Sequence, residues 1–376
     1  LFRSIHKNLY APTATTFRFL EDVFTELFEL FPSPIYHIGG DEAPKDVYKE
    51  SQYCQDLMTV LGIDSEEELQ TFFVKRMGDF LRAHGKTVIG WDEILDGGAL
   101  EDPIAMSYRG HAPAVKGIKR GIRVILTPNR WCYLDYYQEE NDGYPSQPYF
   151  LPLSKVYNYY PVSDTVASSV RPRILGVQGC LWTEFVEAPE HFEHMLFPRA
   201  IALAETGWTP KYERDYADFM QRLVTDLQRL DLRKVNYSRA FENVLFMHDD
   251  FEEDRYDETR LNLQLDCPGA EIRYTTDGTA PTRKSLLYTG PSVRIDPGTR
   301  VRAQGFDRKT GRKVGKEAVK GGLIADVGGV RAFVPASQLA PRYVENIEQF
   351  VGKEMKLKII EVDEKKNRIV ASRKQA

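Results

Sequence analysis

From residue 1 to about 237 the chain alternates helical and strand periods, and this alternation limits its fold more than any other feature. Phe17, Leu20, Phe24, Leu27 and Leu30 recur at three- and four-residue steps behind the polar stretch 13–16, which predicts an amphipathic helix ending near Pro32. An apolar strand is expected at 35–38. Ser65 and Glu68 form a capping-box signature before a second helical face of Leu69, Phe72, Phe73, Met77 and Phe80, with Gly85 as its stop. Further strands are expected at 87–91, 104–108, 122–127 and 174–181, the last followed by one helix over about 191–208. Strands separated by helical crossovers make a parallel sheet. Each strand ends in a polar or aromatic cluster, the arrangement of a (β/α)8 barrel, which carries its chemistry at the C-terminal strand ends. Five strands make only part of such a barrel.

The sharpest of these clusters is His37-Ile38-Gly39-Gly40-Asp41-Glu42. Adjacent carboxylates at the mouth of a barrel can be driven to different pKa values, one protonated to deliver a proton and one ionised to hold charge. Glycosyl transfer needs that asymmetry. The same pair would equally serve as a helix cap at a strand-to-helix turn, and spacing alone does not choose.

Beyond residue 260 the period changes. Thr, Tyr, Arg and Val alternate between turns at Asp277-Gly278 and Pro297-Gly298, predicting a small antiparallel β-sandwich over 238–315. From Lys316 onward, glycine-punctuated strands at 323–327, 332–334, 356–361 and 368–372 predict an OB-like β-barrel. Charge changes with them: residues 316–376 carry 12 Lys/Arg against 8 Asp/Glu, within a chain of formal net charge −5. At 376 residues there is length for two or three domains, and no apolar run is long enough to span a bilayer. Cys54, Cys132, Cys180 and Cys267 stand singly, without metal-ligand spacing, and are expected as buried thiols.

HIGGDE at 37–42, GWDEIL at 90–95, SYRG at 107–110, WCYLDYY at 131–137 and GVQGCLWTEF at 176–185, followed by PRAIALAETGW, together resemble glycoside hydrolase family 20 in order and spacing. The resemblance covers most of residues 1–240. It implies exo-hydrolysis of terminal N-acetylhexosamine from a glycan, with no cofactor, by a substrate-assisted retaining mechanism in which the sugar's acetamido oxygen replaces an enzyme nucleophile. It further implies that Glu42 is the general acid/base and that Asp41 orients the acetamido group. Trp91, Tyr108 and Trp182 would wall the acetamido pocket, position 108 being Trp in many members. Tyr133 would bond the acetamido oxygen, and Asp135 and Glu184 the outer sugar hydroxyls. His37 is expected to brace the strand, and Arg109 and Arg199 to pack or pair. For Trp91 and Trp182 taken singly, a core role is the ordinary expectation.

EIRYTTDGTAPT and VRAQGF, within 261–315, resemble the small sandwich that often follows such barrels. Residues 319–374 resemble the S-one repeat of the ribosomal protein that holds mRNA, which implies single-stranded RNA as a partner, with Phe333, Tyr343 and Phe350 as candidate stacking platforms. A folded repeat that binds nothing is an equally good reading.

Three barrel strands before the acid pair, and the first strand of the repeat unless 312–318 substitutes for it, have no counterpart here. A fragment or chimera is therefore expected, with an unfinished pocket and weak or absent catalysis. The two resemblances point to different compartments, periplasmic or secreted for the hydrolase part and cytoplasmic for the repeat.

Overall fold

The computed structural model describes residues 9–98, 100–139, 142–162, 166–247, 260–290, 292–295, 299–327, 330–335, 338–340, 350, 352–363 and 368–376. The chain divides into two compact units. The first comprises residues 1–134, 155–184 and 202–213; the second comprises 135–154, 185–201 and 214–376.

The first unit is built on five parallel strands in sequential order: β1 (Ile35–His37), β2 (Thr87–Trp91), β3 (Ile104–Ser107), β4 (Arg123–Leu126) and β5 (Ile174–Val177). Between β1 and β2 runs a long helix, α2 (Glu66–Ala83), and between β3 and β4 another, α3 (His111–Lys119); α1 (Ala14–Leu30) precedes the sheet. Helices α1 and α2 both begin with a side-chain cap, the second at the Ser65 read from the sequence. Thr13 Oγ1 accepts from Thr16 N–H at 3.1 Å and Ser65 Oγ from Glu68 N–H at 3.2 Å. The Glu68 carboxylate reaches back one residue further than a capping box requires, to Asp64 N–H at 2.8 Å.

Both faces of the sheet carry apolar clusters, and helices cover one of them. On one face Ala105, Val124 and Leu126 pack with Val74 of α2 and Ala114 and Ile118 of α3. On the other, Ile89, Trp91, Ile104, Met106 and Cys180 form a separate cluster, joined by Tyr108, Ile125 and Tyr133. Leu81, fully buried between Tyr36 and Val88, fixes α2 against β1 and β2. Truncating such a leucine costs about 2–5 kcal/mol. Cys54, Cys132 and Cys180 are buried thiols, whereas Cys267 is only partly covered. No helix among the described residues is long and apolar enough to cross a membrane.

Two sequence expectations need correction. The strand expected over 174–181 is Ile174–Val177. The single helix over 191–208 is two helices, Pro189–Leu196 and Arg199–Trp208. Pro198 has no N–H to continue the ladder and forces Phe197 into extended backbone (φ −103°, ψ 144°), although the apolar period runs on through the break.

In the second unit, the strands Leu286–Leu287, Ala270–Thr275, Val301–Asp307 and Lys313–Lys320 form one antiparallel sheet in that order. The last of these pairs Lys320 with Val301 and Ala318 with Ala303, so the segment around 312–318 completes this sheet. Position 315/316, the expected domain boundary, lies inside that strand. A second four-stranded sheet follows, ordered Gly322–Val327, Val330–Pro335, Arg368–Ser372 and Lys358–Asp363, around a core of Ala332, Val334, Leu339 and Ala371. Phe350 packs on this core and lies beneath Arg373, whose guanidinium carbon is 5.2 Å from the ring centre; Phe333 is half-buried. Of the other turn and stacking positions, Pro297-Gly298 and Tyr343 lie outside the described residues.

Candidate active site

β1 delivers the chain to the acid pair. Past His37, Ile38 still bonds Ile89 on β2, and two glycines then turn the backbone, with φ +70° at Gly39 and +94° at Gly40. Gly40 is doubly constrained. Its φ lies where side chains are disfavoured, and a Cβ there would come within 2.4 Å of Ile94 Cγ2. The turn is clamped from two sides: Trp91 N–H donates to Gly39 O at 2.9 Å, and Gln70 Nε2, on α2, donates to Gly40 O at 2.8 Å. His37 braces it as well, its Nδ1 accepting from Gly39 N–H at 3.0 Å.

Asp41 and Glu42, both exposed, follow this clamp. Glu42 has φ +48°, left-handed backbone that costs a non-glycine residue about 1–2 kcal/mol. Its N–H donates to Glu93 Oε2 at 2.5 Å, and the Tyr108 hydroxyl donates to the other oxygen, Oε1, at 3.0 Å. Glu93 stands in the 3-10 turn Asp92–Leu95 that leaves β2. Partial desolvation, then the charge of Asp41, then that of Glu93 hold the Glu42 carboxyl above the usual carboxylate range. A raised carboxyl beside an ionised one is the division of labour that acid-assisted glycosyl transfer uses. Burial and the neighbouring Glu93 also push the Tyr108 phenol up, keeping it a proton donor.

Next to the acids is a continuous aromatic wall. Trp91, 8% exposed, lies 5.5 Å from Tyr108 and 5.9 Å from Trp182 between ring centres, and Trp182 lies 6.2 Å from Tyr133. Trp91 is a core residue as well as part of the wall, whereas Trp182 is 42% exposed and presents an indole to solvent. Tyr133 and Cys180 are bridged through their backbones, which joins the segment after β4 to the one after β5.

Of the eight site residues read from the sequence, bonds and ring contacts therefore connect Glu42, Trp91, Tyr108, Trp182 and Tyr133. Asp41 acts on Glu42 and His37 through its charge. Glu184 is exposed two residues beyond Trp182, and Asp135, 3% exposed, belongs to the second unit. Glu93 and its neighbour Asp92 lie inside the GWDEIL motif and are not among those eight. The signal that singled out Asp41-Glu42, an acidic pair at the end of a buried strand, applies equally to Asp92-Glu93 after Trp91.

Comparison with known proteins matches residues 3–211 to the glycosyl hydrolase family 20 catalytic domain. Residues 252–315 match the chitobiase/beta-hexosaminidase C-terminal domain, and 314–374 the S1 RNA binding domain. A beta-hexosaminidase of Porphyromonas gingivalis is 37% identical over 279 residues, covering 74% of this chain and 36% of that protein. A Vibrio furnissii beta-hexosaminidase is 34% identical over 218 residues, covering 56% and 36%. Among solved structures, the family 20 exo-β-N-acetylglucosaminidase of Vibrio harveyi in complex with N-acetylglucosamine superposes with a TM-score of 0.59 at 36% identity, covering 62% of this chain and 37% of that one. The chain thus spans a little over a third of the length of these relatives. With the family model covering residues 3–211 of 376, the chain belongs to glycosyl hydrolase family 20.

Proposed function

We propose that this chain carries the acid/base machinery of an exo-β-N-acetylhexosaminidase acting on glycans that end in N-acetylhexosamine. Glu42 gives its proton to the glycosidic oxygen as the C1–O bond breaks, while the substrate's acetamido oxygen attacks C1 and forms an oxazolinium intermediate. Asp41 steers the acetamido group and balances the positive charge on its nitrogen. Tyr133 bonds the acetamido oxygen, and Trp91, Tyr108 and Trp182 enclose the methyl end. Glu42, now ionised, then takes a proton from water attacking C1, the ring opens, and the sugar leaves with its anomeric configuration retained. Glu184 is assigned to the outer hydroxyls.

The observation that carries this reading is the bridge through Glu93, which ties the backbone of the acid to the aromatic wall. The beta-hexosaminidases among its relatives support that substrate class. The test is release of chromophore from an aryl N-acetyl-β-glucosaminide. Turnover that falls roughly 100-fold or more in Glu42→Gln, with N-acetylglucosamine still bound, supports the reading; an equal rate in the variant sinks it.

A second reading concerns residues 316–376, where the S1 match and the basic balance support single-stranded RNA as a partner. Phosphate contacts would carry such binding, because Phe350 is committed to the core and to Arg373. A salt-dependent shift with oligo(U) that is unchanged when Lys356, Lys358 and Arg373 are replaced by Gln would count against it.

A further inference from the structure

We propose that Glu93 is a positioning residue for the acid: its carboxylate is a strut between the Glu42 backbone and the Tyr108 hydroxyl, and it fixes where the Glu42 carboxyl meets the substrate. This rests on the reading of Glu42 as the proton donor.

The geometry gives each oxygen of Glu93 its own task. Oε2 holds the Glu42 N–H at 2.5 Å and Oε1 holds the Tyr108 hydroxyl at 3.0 Å. Both are hydrogen bonds to a charged acceptor, the stronger kind. Glu42 needs such a hold because its φ of +48° is unfavourable for a residue with a side chain. The clamps on the Gly39 and Gly40 carbonyls, from Trp91 and Gln70, act upstream, with Asp41 between them and Glu42. Glu93 is itself fixed from behind. Arg109 places Nε 2.6 Å from Asp92 Oδ1 and Nη2 2.9 Å from Asp96 Oδ2, leaving Nη1 3.9 Å from Glu93 Oε1. Three successive strand ends thus converge on one carboxylate: β1 through Glu42, β2 through Glu93, and β3 through Tyr108 and Arg109.

The strut also has an electrostatic effect. Asp41, on the same loop, and Glu93, from the turn after β2, act on Glu42 by charge; Glu42 and Glu93 in turn act on the Tyr108 phenol beyond β3, and Asp41 acts on His37. Glu93 adds negative charge beside the acid while its two oxygens accept from the Glu42 N–H and the Tyr108 hydroxyl. Holding the acid and keeping it protonated are two results of one placement.

The test uses nuclear magnetic resonance on the intact chain with labelled glutamate. The wild-type Glu42 amide proton should move as the Glu93 carboxylate titrates. Glu93→Gln is isosteric and still accepts from that amide, so it removes charge while leaving the turn in place. It should lower the Glu42 titration midpoint by about half a pH unit or more. Tyr108→Phe keeps the charge and frees Oε1; it should leave the midpoint nearly in place and lower kcat on the aryl substrate about tenfold with little change in KM. A Glu42 midpoint identical in wild type and Glu93→Gln, or an amide proton indifferent to Glu93, overturns the proposal whatever the turnover. If Glu42→Gln leaves turnover untouched, the reading of Glu42 as the acid fails instead, and the strut's catalytic role with it.

Discussion

The Asp92 carboxylate, 1% exposed, is held by Arg109 across the ends of β2 and β3, Nε to Oδ1 at 2.6 Å, with Ser107 Oγ donating to its other oxygen at 3.0 Å. Removing the arginine would leave a buried charge with one weaker donor set. Breaking a buried pair costs about 3–5 kcal/mol, and the one-third exposure of Arg109 lets water recover part of that. Arg109→Met is therefore expected to cost about 2 kcal/mol in denaturant melts at unchanged m-value. Adding Asp92→Asn should return part of the loss, and a double-mutant cycle with no coupling would contradict the pairing.

Gly40 and Gly62 separate space from backbone conformation. Both have positive φ, but a Cβ at Gly62 meets nothing within 4 Å, whereas one at Gly40 runs into Ile94. Gly62→Ala should cost about 1 kcal/mol from conformation alone. Gly40→Ala should cost about 3 kcal/mol and, because the residue directly precedes the acid pair, reduce turnover as well. Equal losses at both sites in thermal melts would show that the turn relaxes freely.

The direction of the Glu42 shift fixes one side of the pH profile. On the proposed reading protonated Glu42 is the active form for bond breaking, so a raised pKa carries activity upward in pH, and kcat/KM should fall on the alkaline side at a midpoint above the ordinary carboxylate value. Asp41→Asn, which removes the larger of the two charges acting on it, should move that midpoint down. An alkaline limb at the ordinary glutamate value in the wild type would rule out the assignment.

Asp266 in the sandwich is 8% exposed, and burial pushes its carboxyl up to about 6, against the opposing effect of bonds from Gln264 and Tyr216. Between the ordinary carboxylate value and about 6 the folded chain keeps a proton that the unfolded chain has released. Stability should therefore fall as the pH rises through this window, by about 2–3 kcal/mol in total. Asp266→Asn should flatten the dependence between pH 4 and 6; melts that stay parallel for both proteins would refute it.

Much of this architecture was legible from residue pattern alone. Ser65 and Gly85 marked helix ends because caps are local chemistry, and the central strands β2 and β3, buried along their length, read as apolar runs. The break at Pro198 was harder, since the apolar residues on either side keep helical spacing and only the missing N–H interrupts it. Glu93 was harder still. Its partners Glu42 and Tyr108 lie 51 positions before it and 15 after it, and no periodicity reports a bond across three strand ends. Arg199 reads as an ordinary helix residue, yet it is fully buried and its guanidinium donates to the carbonyls of Tyr136, Leu151 and Met195. Main-chain acceptors of that kind leave no trace in composition.

The strand Lys313–Lys320 runs across the point where two family matches meet. A version of the protein ending at residue 315 would keep only the start of it, stripping the partners from Val301, Arg302 and Ala303 and leaving their amides and carbonyls open to other chains. Shortening the protein at its apparent seam would thus turn an interior sheet edge into a sticky one, and a cut after residue 320 is the place to separate the two parts without inviting self-association.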